Sequence, residues 1–123
     1  MKNARKIGIV GEAAAADFLK KIGYNILANN YVARGGEIDL IALDPCFCGE
    51  QCLVFAEVKS RQNTLSGFAV DSVTVSKIKK ITAATNDYLI KNNLLDAFVR
   101  FDIIEVYDNK DINHIINAFD AID

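Results

Sequence analysis

Apolar residues recur at two different periods along this chain. Over residues 4 to 22 (ARKIGIVGEAAAADFLKKI), Gly8, Glu12, Ala15, Ala16 and Leu19 fall on one face at helical spacing. A second helix is predicted from about Val75 to Asn92, where Ile78, Ile81, Ala84 or Thr85, and Tyr88 repeat at that spacing and Thr74 or Ser76 serves as the cap. Elsewhere the runs are short and β-like: YNILANNYV (24 to 32, with a polar irregularity at Asn29-Asn30), GEIDLIAL (Gly36 to Leu43), LVFAEVKSR (Leu53 to Arg61), AFVRFDIIEVY (Ala97 to Tyr107) and Ile112 to Phe119, the last two joined by a turn at Asn109-Lys110. Asp44 to Cys52, holding Pro45 and Gly49, reads as a loose hairpin tip, and residues 62 to 72, around Ser66-Gly67-Phe68, as a loop. The predicted order is α-β-β-β-α-β-β.

Charges inside the apolar runs carry the chemical signal. Residues i and i+2 of a strand share a face. Glu57 and Lys59 therefore project together, with Leu53, Phe55 and Arg61, while Val54, Ala56 and Val58 take the other face. In the preceding run Glu37 and Asp39 share one face, and Ile38, Leu40 and Ala42 the other. Antiparallel pairing of the two runs brings Asp39 beside Glu57. An unpaired buried charge costs several kcal/mol, so two carboxylates here need compensation. One solution is a buried ion-pair network with Arg34, Lys59 or Arg61. The other is a divalent cation with a phosphate beside it: Mg²⁺ favours one or two carboxylates plus waters and substrate phosphate. Such an ion activates water and clamps a phosphodiester, and Lys59 is then placed to orient water or hold a phosphate oxygen. Glu12 lies on the small-residue face of the first helix, which approaches the sheet closely, and is a further candidate ligand for metal or water.

These residues occur within a larger pattern. Gly11-Glu12-Ala13, Gly23-Tyr24 followed by Asn29-Asn30-Tyr31, Gly36-Glu37-Ile38-Asp39-Leu40-Ile41-Ala42, Val54-Phe55-Ala56-Glu57-Val58-Lys59-Ser60-Arg61 and Arg100-Phe101-Asp102 occur in order over about residues 7 to 107. In this the chain resembles the YraN-like family of small bacterial proteins. The resemblance implies a restriction-endonuclease-like α/β fold, a mixed central sheet of about five strands flanked by two main helices. It also implies a site of the PD-(D/E)xK type. Asp39, Glu57 and Lys59 match that motif, and Glu12 matches the acidic residue of the first helix. The implied activity is a Mg²⁺-dependent endonuclease or exonuclease, with Mn²⁺ able to substitute, acting on nucleic acid, most readily DNA and its branched or repair intermediates.

Composition bounds the remainder. With 123 residues, 51% of them hydrophobic, residues 1 to 123 read as a single domain, which the resemblance makes a nuclease domain. No run approaches the roughly 20 apolar residues of a membrane span, and Lys2, Arg5 and Lys6 precede too short an apolar stretch for a signal peptide, so a cytoplasmic protein is expected. Net charge is −2, yet residues 1 to 36 carry net +4 and 57 to 91 net +3, against −4 over 37 to 56 and −5 over 92 to 123. The basic segments flank the candidate site, and Arg34, Arg61, Lys77 and Lys80 are candidate phosphate contacts. Cys46, Cys48 and Cys52 fall one ligand short of structural zinc and read as incidental thiols. His114 reads as an edge-strand or surface residue, and Arg100 with Asp102 as a structural pair. One domain carries one site, which leaves room for a homodimer. Two function classes emerge: a nuclease, and a noncatalytic nucleic-acid- or protein-binding module on the same scaffold.

Overall fold

The computed structural model describes residues 4–62 and 73–123, and the side chains from Val10 onward within the first helix. The elements are α1 (Ala4–Lys21), β1 (Asn25–Ala33), β2 (Gly36–Phe47), β3 (Glu50–Arg61), α2 (Val75–Lys91), β4 (Val99–Tyr107) and β5 (Ile112–Phe119), in the order read from the sequence. The loop expected over 62 to 72 lies, apart from Gln62, outside the described residues.

The five strands form one sheet in the order β1-β2-β3-β4-β5. β3 and β4 are parallel, from Leu53↔Val99 to Arg61↔Tyr107, and the other neighbours are antiparallel, which makes the sheet mixed. The single parallel pair follows from connectivity: β3 reaches β4 through α2, and a parallel pair requires such a crossover. The two helices cover opposite faces. Ala15, Ala16 and Leu19 of α1 pack on Leu40, Ala42, Val54, Ala56 and Ile104 of the sheet. Ile81, Ala84 and Leu89 of α2 pack on Ile38, Ile41, Leu53, Phe55 and Phe101 of the sheet. The alternation in β3 is as expected, with Val54 and Ala56 toward α1 and Leu53 and Phe55 toward α2. α2 starts at Thr74, whose Oγ1 accepts the Lys77 N–H at 3.2 Å.

Two local readings are corrected. Asp44 to Cys52 is a tight hairpin: strand runs to Phe47 and resumes at Glu50, with only Cys48 (φ 51°) and Gly49 (φ 85°) at the turn. Positive φ at both central residues matches the twist of the flanking strands. Pro45 sits where the β2–β3 register shifts, a place where a proline costs the ladder nothing. Phe47 stacks on Phe98 at 5.8 Å, which ties the tip to the body.

The second correction concerns β2. Strict alternation puts Ile38 and Leu40 on one face, yet Ile38 packs under α2 and Leu40 under α1. The alternation breaks at Asp39. Opposite it in the neighbouring strand, Asn30 adopts φ 50°, which accounts for the polar irregularity noticed in β1. On the other side the β2–β3 ladder ends at Leu40↔Ala56, one position before Asp39 would meet Glu57.

At one end of the sheet, on the α1 face, is a buried polar network. Arg100 donates to Asp102 (Nε to Oδ1, 2.9 Å), to Asp44 Oδ2 (2.6 Å) and to Tyr24 OH (2.6 Å). Asp102 Oδ1 also accepts the Asn117 N–H at 3.0 Å, and Oδ2 lies 2.7 Å from His114 Nε2. Burial alone would raise the Asp102 carboxyl; His114, Arg100 and the Asn117 N–H together hold it below its ordinary range. The structural pairing of Arg100 with Asp102 is as expected. His114 is on an edge strand, but its side chain is only 7% exposed and edge-on to Phe18 and Tyr24. The edge-strand placement is as expected, with the side chain turned inward.

Candidate active site

β3 enters the site with Glu57 and Lys59 on its α2 face, at the C-terminal ends of the parallel pair β3 and β4. The outer ends of parallel strands are where α/β sheets place ligands. Glu57 is 5% exposed. Its Oε1 is approached at 3.3 Å by Lys59 Nζ and at 3.3 Å by Lys77 Nζ, the latter from the first turn of α2. Asp39 comes from β2, half-buried, and its Oδ2 accepts the Val58 N–H at 2.8 Å. This carboxylate takes over the hydrogen bond that the interrupted ladder leaves unmade, and so the break in alternation aims Asp39 at the end of β3. Among the described residues the Val58 N–H is the one hydrogen-bond or ion-pair partner of the Asp39 side chain.

Electrostatics tie the carboxylates together. Asp39 is pushed up to about 7, first by burial and next by the charge of Glu57; Glu12 adds to the rise, while the Val58 N–H and Lys77 oppose it. Glu12 is half-buried on α1. There α1 touches the end of β3 closely, since a Cβ on Gly11 would lie 2.5 Å from Ser60 Oγ. The sequence-predicted Asp39, Glu57 and Lys59 are thus brought together, with Glu12 within electrostatic reach from the other face of the sheet. Among the described residues no three His, Cys, Asp or Glu side chains converge on one metal-sized point, Cys46, Cys48 and Cys52 included; all three are free thiols.

The predicted basic residues separate into different roles. Lys77 is drawn into the site by Glu57. Lys80 is exposed and, with Lys77, Val32, Ala33, Gly36 and Glu37, lines a groove of about 530 Å³ beside it. Arg34 is exposed at the turn between β1 and β2. Arg61 Nε is paired at 3.2 Å with Glu105, a 2% exposed carboxylate that Asn113 Nδ2 also reaches at 2.7 Å. Sequence reasoning passed over Glu105, although a carboxylate inside the apolar run FDIIEVY is the signal that marked Glu57. It also missed Lys77 as a partner of Glu57, which no local pattern announces because the two lie on separate elements.

A donor set of two carboxylates, one of which retains a proton near neutral pH, suits a hard divalent cation. The charges of Glu57 and Glu12, which add to the rise at Asp39 that burial begins, favour a cation there, and oxygen-only donors favour Mg²⁺ or Mn²⁺ over softer metals.

The sequence pattern of Uncharacterised protein family UPF0102 matches residues 11–106, a stretch that includes Glu12, Asp39, Glu57 and Lys59. A UPF0102 protein of Clostridioides difficile (strain 630) is 45% identical over 118 residues, covering 95% of this chain and 99% of the relative. One of Caldanaerobacter subterraneus subsp. tengcongensis is 41% identical over 123 residues (95% and 97%), and one of Trichlorobacter lovleyi 38% over 123 (97% and 94%). Matched along nearly its whole length, the chain belongs to the UPF0102, or YraN-like, family.

Proposed function

We propose that the chain is a metal-dependent nuclease that hydrolyses phosphodiester bonds in nucleic acid, most readily DNA, including branched or repair intermediates. The observation that carries the reading is the Asp39–Glu57 pair: two neighbouring carboxylates at the open end of the sheet, the first pushed up to about 7 by burial and then by the charge of the second, with an ammonium 3.3 Å from the second. A purely structural ion pair has no use for the like charge. Asp39 and Glu57 would hold Mg²⁺, or Mn²⁺ in its place, with Glu12 contributing from α1. Bound there, the ion supplies Lewis acidity toward the phosphoryl and leaving oxygens.

The protein's own groups do the rest. The Val58 N–H fixes the orientation of the Asp39 carboxylate. Lys59 holds a phosphoryl oxygen as a point charge or orients the attacking water. Lys77, Lys80 and Arg34 offer backbone phosphates a positive border, and Arg61, held by Glu105, is fixed beside it. A noncatalytic binding module on this scaffold is the competing reading, and the two lysines on Glu57 are what favour it. No described helix is long and apolar enough to cross a membrane, and we place the activity in the cytoplasm, with a homodimer as the form suited to cutting both strands.

The test is cleavage of supercoiled, single-stranded, flap and four-way-junction DNA, and of RNA, with Mg²⁺ or Mn²⁺. The nuclease reading expects at least one substrate to be cut, and Asp39→Ala and Lys59→Ala to lose about 10²-fold or more in rate. Uncut substrates throughout, or cutting by both variants at the wild-type rate, leaves the binding module standing.

A further inference from the structure

Two ammonium groups meet on a single oxygen of Glu57, and they are not equivalent. Lys59 is two residues from Glu57 on the same strand, so its position is fixed by the register of β3. Lys77 arrives from α2, is more open to water (36% against 25% exposed), and also lines the groove shared with Lys80. The charge count limits what the site can hold at once. With both ionised, Glu57 and Asp39 can balance Lys59 and Lys77, or a divalent cation, but not both without a phosphate added.

The more exposed ammonium, carried on a separate element, therefore has a reason to leave when a cation arrives, and a place to go. The groove is walled by bare backbone where Gly36 meets α2, since a Cβ on Gly36 would lie 2.1 Å from the Lys80 carbonyl oxygen. Lys80, one turn further along the helix, supplies a second cation on the same wall.

We infer that Lys77 is a positioning residue that neutralises Glu57 until a divalent cation binds, and then turns into the groove to hold a phosphate of the nucleic-acid backbone beside the scissile one. This makes cation and nucleic acid bind cooperatively, with Lys77 as the coupling element. It rests on the cation reading of the Asp39–Glu57 pair.

The experiment titrates MnCl₂ into the protein by calorimetry, without nucleic acid, in wild type, Lys77→Met, Lys80→Met and Asp39→Asn. A fluorescein-labelled 12-mer DNA is then bound in CaCl₂, followed by anisotropy. Lys77→Met should bind Mn²⁺ about three- to tenfold more tightly than wild type, because a competing charge is gone. It should bind the DNA more weakly by about the same factor. Lys80→Met should leave Mn²⁺ affinity within about twofold of wild type, since a diffuse field effect is all that it removes. A Lys77→Met protein that binds Mn²⁺ no more tightly than Lys80→Met overturns the inference while the cation site stands. Mn²⁺ binding unaffected by Asp39→Asn overturns the cation reading, and the inference with it.

Discussion

Replacing Asp39 by asparagine should make the protein more stable, and more so as pH rises. The Asn side chain keeps an acceptor for the Val58 N–H, which Asp39 meets at 2.8 Å, while removing the charge opposed by burial and by Glu57. A carboxyl raised from 3.8 to about 7 is disfavoured, once ionised, by roughly 4 kcal/mol at most. At pH 5 the unfolded carboxyl has already released its proton and the folded one has not. The folded state binds more protons between these two values, so wild-type stability falls from about pH 4 through about pH 7 and is level above it. From pH 5 to pH 8 that is roughly 2–3 kcal/mol lost by wild type and not by the variant. Asp39 is partly open to water and the surrounding salt screens it, so about 1–2 kcal/mol is the expected widening. The assay is urea unfolding of both proteins at pH 5 and pH 8 in EDTA, and taking the difference of differences cancels the titrating groups that do not interact with Asp39. Parallel stabilities at the two pH values refute the reasoning. So does a gap that widens in favour of wild type, which is what a carboxylate stabilised mainly by Lys59 and Lys77 would give.

Other expectations follow from the same geometry. In Tris buffer at pH 8, Mg²⁺ at about 100 times its dissociation constant should add up to about 2.7 kcal/mol to wild-type stability, read as a rise in melting temperature, and nothing to Asp39→Asn; equal shifts in both place the ion elsewhere. Arg100→Met leaves Asp44 and Asp102 buried without their cation and should cost about 3–5 kcal/mol in urea unfolding, so a loss under about 1 kcal/mol would mean that the network relaxes without it. Gly36→Ala pushes a Cβ into the Lys80 carbonyl and should cost about 1–3 kcal/mol, measured by thermal unfolding. The same change at Gly49, where nothing lies within 4 Å, should carry only the strain of a positive φ, about 1 kcal/mol.

Much of the fold was written in local patterns. Period 3.6 over α1 and α2 placed those helices within a residue, and period 2 over β3 placed the strand's end at Arg61 but its start three residues late, because each buries one stripe or one face. The site residues were legible for a related reason: Asp39 and Glu57 are charges where the pattern asks for apolar side chains. What escaped depends on neighbours distant in the chain. The short turn at Cys48-Gly49 was hidden by Pro45, which tolerates a bulge as well as a loop. The reversal between Ile38 and Leu40 arises because Asp39 bonds Val58 in place of the ladder, a choice that no window within β2 encodes. His114 is buried because Asp102, Phe18 and Tyr24, from three other parts of the chain, enclose it. Lys77 faces Glu57 only once α2 has crossed the sheet.

The claim on which the account depends is that Asp39 and Glu57 share a cation. Crystals soaked in MnCl₂ and measured at the manganese absorption edge test it directly. The account predicts an anomalous peak about 2.0–2.3 Å from a carboxylate oxygen of each residue, with Glu57 still within reach of Lys59. Saturating manganese with no peak there, or a peak only at carboxylates remote from both side chains, would contradict it.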